Sequence, residues 1–247
     1  MREYYQKQVG LLLDVLPIVN RAGVFALKGG TAINFFFRNC PRLSVDIDLH
    51  YLPDNNREDA LADILKNMHA IKSAVETAMP GARVIVNEKT THATVQYNNV
   101  LIKIEPNTVI RGTLLAAVEM PLCDYLVKEF NREMSINCVA KEELFAGKLC
   151  AALQRQHPRD LFDVLLLLNK EEGISRALLD AFIVYVISQG KLINEMLNPN
   201  MHDIENLFVN QFQGMTKMAA IDLQSLLQVQ QSLANEIVSL FTQQDKD

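Results

Sequence analysis

Two aspartates, Asp46 and Asp48, lie two residues apart in the segment LSVDIDLHYL, where polar and apolar residues alternate strictly. This alternation predicts a β-strand and puts both carboxylates on one face, together with Ser44 and His50. At a rise of about 3.3 Å per residue, the two positions are roughly 6.6 Å apart. Because Mg²⁺ prefers oxygen ligands, we predict a divalent metal site at these aspartates.

A third carboxylate is available on a later strand. The run VLIKIEPN is mostly apolar and carries Glu105 near its end. A strand of this kind beside Asp46 and Asp48 would complete a set of three acidic ligands. We predict Mg²⁺ as the bound ion, with Mn²⁺ as the alternative.

A glycine turn precedes the aspartates. Gly29, Gly30 and Thr31 follow the apolar run GVFALK and open the helix-like run TAINFFFRN, with Thr31 as the predicted N-cap. Glycines allow the backbone to approach a phosphate closely, and a helix N-terminus offers free N–H groups to an anion. A glycine pair or a D-x-D strand alone is often purely structural. In this order they predict a site for a metal-chelated nucleoside triphosphate.

The remaining pattern predicts an α+β fold in two domains. Amphipathic helices are indicated at residues 4–22 and in ALADILKNMHAIKSAVETAM. Three strand-like runs follow: ARVIVNEK, HATVQYNN and VLIKIEPN. The Asn-Asn pair between the last two runs predicts a hairpin turn. From about residue 114 the chain reads as mostly helical. We predict a sheet flanked by helices over residues 1–113 and a helical domain over residues 114–247.

Composition excludes several classes of protein. The four cysteines form no C-x-x-C pair and the five histidines no H-E-x-x-H spacing, which argues against zinc and against a disulfide framework. No apolar run approaches about 20 residues and the first residues do not resemble a secretory signal, so we expect no membrane segment and a cytoplasmic location. The net charge of −5 means that any nucleic-acid contact needs a local basic patch.

The motifs together resemble the polymerase-β-like nucleotidyltransferases and, more narrowly, the AbiEii/AbiGii toxin family of type IV toxin–antitoxin systems. KGGTAINFFF…PRLSVDIDL resembles the first motif of that family, and LIKIE resembles the second. EELFAGKLCAALQRQHPRDLFDVLLL resembles the third and fourth. The resemblance covers about Leu27 to Leu168 and implies a nucleotidyltransferase fold with a mixed sheet in the N-terminal domain.

The resemblance also implies roles for residues of the first domain. The implied metal ligands are Asp46, Asp48 and Glu105, the last being Glu where Asp is common. The implied contacts to the triphosphate are Gly29, Gly30, Thr31 and Ser44. Arg42 stays open between a phosphate contact and an ordinary surface residue.

In the second domain the resemblance points to Lys148 and Asp160. Lys148 would bind the nucleotide and neutralise phosphate charge. Asp160 would act at the active-site rim as a base or a nucleotide contact, although it also suits the first turn of a helix. Asp163, three residues later, could orient Arg159 or Lys148.

The implied activity is transfer of a nucleoside monophosphate from an NTP to an acceptor, with release of pyrophosphate. Family members act as toxins, some by modifying tRNA, which implies an antitoxin encoded nearby that need not bind the toxin. Two alternatives stay open: transfer to a small molecule or a protein hydroxyl, and a nucleotide-binding module without turnover. The retention of three carboxylates argues against the last.

Overall fold

A computed structural model describes residues 3–169, 173–190, 192–216 and 221–242 of the chain. The contacts within the chain separate two compact units, Met1–Ala140 and Lys141–Asp247. Among the helices of the described residues, none is both long and apolar enough to span a bilayer.

The first unit combines helices with a mixed sheet. Its helices are α1 (Glu3–Asn20), α2 (Gly29–Ala32, continued by a π-helical turn at Ile33–Phe37), α3 (Arg57–Ala78) and α4 (Asp124–Phe130). Its strands are β1 (Phe25–Lys28), β2 (Asp46–Tyr51), β3 (Arg83–Val86), β4 (Ala93–Tyr97), β5 (Val100–Arg111), β6 (Val118–Pro121) and β7 (Ser135–Cys138).

The seven strands form one sheet in the order β3-β4-β5-β2-β1-β7-β6. The pairs β2–β5 and β1–β7 are parallel, and the other neighbours are antiparallel. The predicted α+β class with a mixed sheet is therefore confirmed. The predicted hairpin is also present, because β4 pairs antiparallel with β5 and Asn98 and Asn99 both have positive φ, as a type I′ turn requires.

Alternation in the central strands separates an apolar face from a polar one. Ile47 and Leu49 of β2 are buried, as are Ile102 and Ile104 of β5. The amphipathic helices α1 and α3 pack on this sheet through their apolar residues. Burial of such surface contributes about 25 cal/mol per Å², which fixes the strand register and leaves the carboxylates of β2 on the opposite face.

The boundary between the units lies later than the sequence indicated. The prediction placed residues 114–140 in the helical half, whereas β6, α4 and β7 belong to the first unit. The reason is that β7 pairs with β1 at Leu27↔Cys138, so this segment completes the sheet. Strands of four residues carry too little periodicity to stand out in the sequence.

The second unit is built from helices, as predicted. They are α5 (Lys141–Gln154), α6 (Pro158–Asn169), α7 (Arg176–Ser188), α8 (Ile193–Met196), α9 (Glu205–Leu207, continued by a π-helical turn at Phe208–Phe212) and α10 (Leu223–Leu240). A buried amide pair fixes α10, because Gln230 Nε2 donates to Gln156 Oε1 (2.6 Å) and to the carbonyl of His202 (2.9 Å).

Candidate active site

The sheet brings the three acidic residues of the first unit onto one face. In the parallel pairing of β2 with β5, Asp48 lies opposite Glu105, and Asp46 lies opposite Lys103. Residues paired in this way point to the same side of a sheet, so the three carboxylates occupy neighbouring positions. Asp46 and Asp48 are half-buried, and the side chain of Glu105 is 33% exposed.

Two basic side chains lie near Glu105 but make only long contacts with it. Its Oε1 lies 3.9 Å from Lys103 Nζ and 3.9 Å from His92 Nδ1, both at the long end of the ion-pair range. Pairs this open and this exposed hold a side chain weakly. Glu105 is therefore able to change rotamer when a ligand reaches this face.

The carboxylates fit a divalent ion in donor type and in strand register. Asp46, Asp48 and Glu105 offer only oxygen donors, which Mg²⁺ and Mn²⁺ favour, and strand pairing holds them side by side. Across the described residues, however, no group of three or more His, Cys, Asp or Glu side chains already has the arrangement of a metal site. Binding of a metal ion would thus require rotamer changes of the carboxylates.

The glycine turn and the D-x-D strand are in direct contact. Pairing of β1 with β2 sets Lys28 opposite Asp48, so the next residue, Gly29, lies against the Asp48 carboxylate. A Cβ added to Gly29 would overlap Asp48 Oδ2 and lie 2.8 Å from its Cγ. Gly29 also has φ +70°, a backbone conformation that favours glycine. This glycine thus makes room for the carboxylate as well as for the turn.

The hydroxyls of Thr31 and Ser44 bind within the protein. Thr31 Oγ1 donates to the main-chain carbonyl of Asp46 (2.5 Å) and lies within hydrogen-bond distance of Ser44 Oγ (2.9 Å). Thr31 is completely buried and Ser44 nearly so. These bonds tie the glycine turn to the start of β2. Direct contact of Thr31 and Ser44 with a triphosphate stays a prediction.

The predicted N-cap at Thr31 is wrong. Helix α2 begins two residues earlier, at Gly29, and its N-cap is Lys28, which makes no side-chain capping bond. The hydroxyl of Thr31 instead reaches across to the carbonyl of Asp46, which gives it a partner outside its own helix.

Arg42 is not a surface residue. Only 2% of it is exposed, and its Nη1 donates to the carbonyl of Leu43 (2.9 Å). Its Nη2 lies so close to Gly30 that a Cβ added there would come within 2.5 Å of it. No local pattern signals this burial, because a charged residue before a strand is ordinarily solvated.

His50 lies on β2, two residues beyond Asp48, and is completely buried. Its Nε2–H donates to the carbonyl of Gly112 (2.5 Å), while Nδ1 has no hydrogen-bond partner among the described residues. Burial, reinforced by the nearby charge of Lys28, lowers the pKa of His50 to about 4. The imidazole is therefore neutral at physiological pH.

The second unit contains a buried ion cluster. Lys148 Nζ on α5 lies 2.9 Å from Asp160 Oδ1 and 3.0 Å from Asp163 Oδ2, both on α6. All three side chains are at most 6% exposed. Arg155 adds a second cation, with Nη2 3.0 Å from Asp160 Oδ2. Lys148, one of the two partners proposed for Asp163, is thus in contact with it.

The ion cluster keeps Asp160 ionised. Burial alone raises the pKa of Asp160, but the positive charges of Lys148 and Arg155 outweigh it, so the pKa lies below its usual value. A carboxylate with a lowered pKa is a weak proton acceptor near neutral pH. The electrostatics thus favour a charge-positioning role for Asp160 over the role of a base. Sequence reasoning missed Arg155, because a loop separates it from α6 and obscures the spacing.

We expect Asp163→Asn to destabilise the second unit by about 3 kcal/mol, because it leaves Lys148 with one buried carboxylate in place of two. Denaturant unfolding followed by circular dichroism measures the change. The control is Asp180→Asn, which breaks an exposed i,i+4 pair with Arg176 and should cost less than about 0.5 kcal/mol. Equal unfolding midpoints for the two variants would show that the ion cluster does not stabilise the second unit more than an exposed ion pair does.

Comparison with solved structures places the fold among nucleotidyltransferases. MenT4, a nucleotidyltransferase toxin from Mycobacterium tuberculosis H37Rv, superimposes with a TM-score of 0.70 at 14% identity, covering 99% of this chain and 88% of that one. A protein from H. pylori proposed to be a nucleotidyltransferase gives a TM-score of 0.54 at 15% identity, covering 98% of this chain and all of that one. At these identities the likeness concerns the fold. A comparison with curated proteins gave no match.

The sequence identifies the family. The model of the nucleotidyl transferase AbiEii toxin family, of type IV toxin–antitoxin systems, matches residues 11–235. The chain therefore belongs to the AbiEii nucleotidyltransferase toxin family, and the resemblance of its motifs to that family is confirmed.

Proposed function

We propose that this protein is a Mg²⁺-dependent toxin that transfers a nucleoside monophosphate from an NTP to tRNA and releases pyrophosphate. The observation that carries the proposal is the face of β2 and β5, where Asp46 and Asp48 lie beside Glu105 and the glycine turn packs against Asp48. Carboxylate oxygens next to a glycine turn are the groups that a metal-bound triphosphate needs.

The transfer involves one bond made and one broken. A hydroxyl oxygen of the acceptor attacks the α-phosphorus, the bond from that phosphorus to the α,β-bridging oxygen breaks, and pyrophosphate leaves while the hydroxyl proton passes to solvent. Asp46, Asp48 and Glu105 would hold a divalent cation, Mg²⁺ or Mn²⁺, which when bound neutralises triphosphate charge. The protein contributes the carboxylates of β2 and β5 and, next to them, the glycine turn of Gly29 and Gly30, where the phosphates would bind.

Lys148 and Asp160 belong to the proposal through the family resemblance. Lys148 supplies a positive charge for the nucleotide phosphates, and Asp160 and Asp163 hold its ammonium group in one orientation. Asp160 acts as an ionised partner of Lys148, in keeping with its lowered pKa. Loss of Lys148 or Asp160 should therefore weaken nucleotide binding more than it slows proton transfer.

The acceptor and partners follow from the type of toxin. A chain with net charge −5 would bind tRNA through local contacts, since its overall field repels a polyanion. The proposal includes a cytoplasmic location, where tRNA and NTPs are available, and an antitoxin encoded nearby. A small-molecule acceptor, a protein hydroxyl and nucleotide binding without turnover are the competing outcomes of the experiment below.

The experiment incubates the protein with each α-labelled NTP in turn, with Mg²⁺ and total tRNA, beside the Asp46→Ala/Asp48→Ala variant. We expect label on tRNA with one or two of the NTPs, and only with wild type. Label on protein, or on an added small-molecule hydroxyl compound, would replace tRNA as the acceptor. Binding of NTP without transfer of label would indicate a nucleotide-binding module without turnover.

A further inference from the structure

We propose that Arg42 is a positioning residue of the nucleotide site, which holds the glycine turn in its binding conformation from the protein interior. This inference rests on the proposed function, because it concerns how that site binds the NTP. Arg42 is the largest of the almost completely buried side chains in the described residues, at 2% exposure.

The geometry links Arg42 to the turn through Gly30. The guanidinium is anchored by the bond from Nη1 to the carbonyl of Leu43, while Nη2 lies against the backbone of Gly30. A Cβ at residue 30 would lie 2.5 Å from Nη2 and 3.1 Å from Ser44 Oγ. A side chain at residue 30 would therefore displace the Arg42 guanidinium from its present place.

The same contacts reach the aspartates. Ser44 hydrogen-bonds with Thr31, and Thr31 donates to the carbonyl of Asp46. The segment from Arg42 to Asp46 is therefore fastened to the glycine turn at three points: at Gly30, between the two hydroxyls and at the Asp46 carbonyl. This fixes the spacing between the place where phosphates bind and the strand that carries the carboxylates.

Charge explains why arginine serves this purpose better than an apolar residue. A guanidinium stays protonated even when buried, so it places a permanent positive charge directly behind the turn. In a low-dielectric interior a fixed charge of this kind acts on a nearby anion more strongly than it would in water. Since Arg42 holds the turn at which the phosphates would bind, its loss should weaken nucleotide binding more than turnover at saturating NTP.

The test measures equilibrium binding of each labelled NTP, with Mg²⁺, to the full chain and its variants. We expect Arg42→Met to weaken binding at least about tenfold and to raise the KM for NTP by a similar factor, with kcat within about threefold. Arg42→Lys retains the charge and should recover part of the affinity. The control Arg132→Met removes an exposed arginine, paired with Asp14, and should bind within about twofold of wild type.

A double-mutant cycle separates positioning from a purely structural role. Gly30→Ala should cost at least about tenfold in NTP affinity in the wild-type background, where Arg42 is present. In the Arg42→Lys background the same change should cost less than about threefold, because lysine has no atom in the place of Nη2. This comparison stands even where Arg42→Met does not fold.

Two results would overturn the inference. One is an equal loss of affinity from Gly30→Ala in both backgrounds, and the other is a folded Arg42→Met variant that binds NTP like wild type. A wild-type protein that binds no NTP would instead refute the proposed function, and the inference with it.

Discussion

An Asp48→Asn variant is expected to lose nucleotidyl transfer by at least about 10³-fold while remaining folded. Asparagine has the shape of aspartate, so it keeps the packing against Gly29 and the pairing opposite Glu105. It removes the negative charge on which cation binding depends, and stabilisation by a bound metal is worth several kcal/mol in such reactions. The rate of label transfer from the α-labelled NTP measures the loss, and Asp46→Asn should behave in the same way.

The control for this prediction is Asp124→Asn, an exposed aspartate of the same unit in the first turn of α4. It should retain full activity. The melting temperatures of both variants show whether the fold is preserved. Activity of Asp48→Asn within about tenfold of wild type would remove the D-x-D strand from the proposed chemistry.

Gly29→Ala is expected to reduce transfer by about 10²-fold, although the new side chain is only a methyl group. The added Cβ would occupy the position of the Asp48 carboxylate, which must move away. A displacement of about 1 Å at a reacting centre can cost this much in rate. Steady-state transfer kinetics measure the effect, together with the unfolding free energy.

Gly23→Ala is the matched control for Gly29→Ala. Gly23 has φ +72°, close to the +70° of Gly29, but a Cβ there would meet no atom within 4 Å. Each variant should lose about 1–2 kcal/mol of stability for a non-glycine residue in the left-handed region, and Gly29→Ala should lose more because its Cβ also overlaps Asp48. Only Gly29→Ala should lose activity. Equal activity in the two would show that the contact with Asp48 is unimportant.

Local pattern was enough to predict the central part of the sheet. Strict alternation indicated the direction of Asp46 and Asp48, and the Asn98-Asn99 turn indicated the hairpin that carries Glu105. Both inferences depend only on residues close in sequence, where the geometry of a strand or a turn decides the outcome. The family model confirms the class of enzyme that these motifs indicated.

Features that depend on pairing between distant segments could not be predicted from the sequence. The contact of Gly29 with Asp48 follows from the register of β1 against β2, and the assignment of β7 to the sheet follows from its pairing with β1. The burial of Arg42 contradicts the usual preference of charged residues for water, so only the packed structure reveals it.

The measurement that tests the central claim most directly follows the two ends of the triphosphate separately. Wild type and Asp48→Asn are each incubated with Mg²⁺, total tRNA and either α-labelled or γ-labelled NTP. Nucleotidyl transfer predicts that wild type moves the α-label to the acceptor and releases the γ-label as pyrophosphate, whereas Asp48→Asn does neither. Transfer of the γ-label to the acceptor, or α-label transfer that persists in Asp48→Asn, would contradict it.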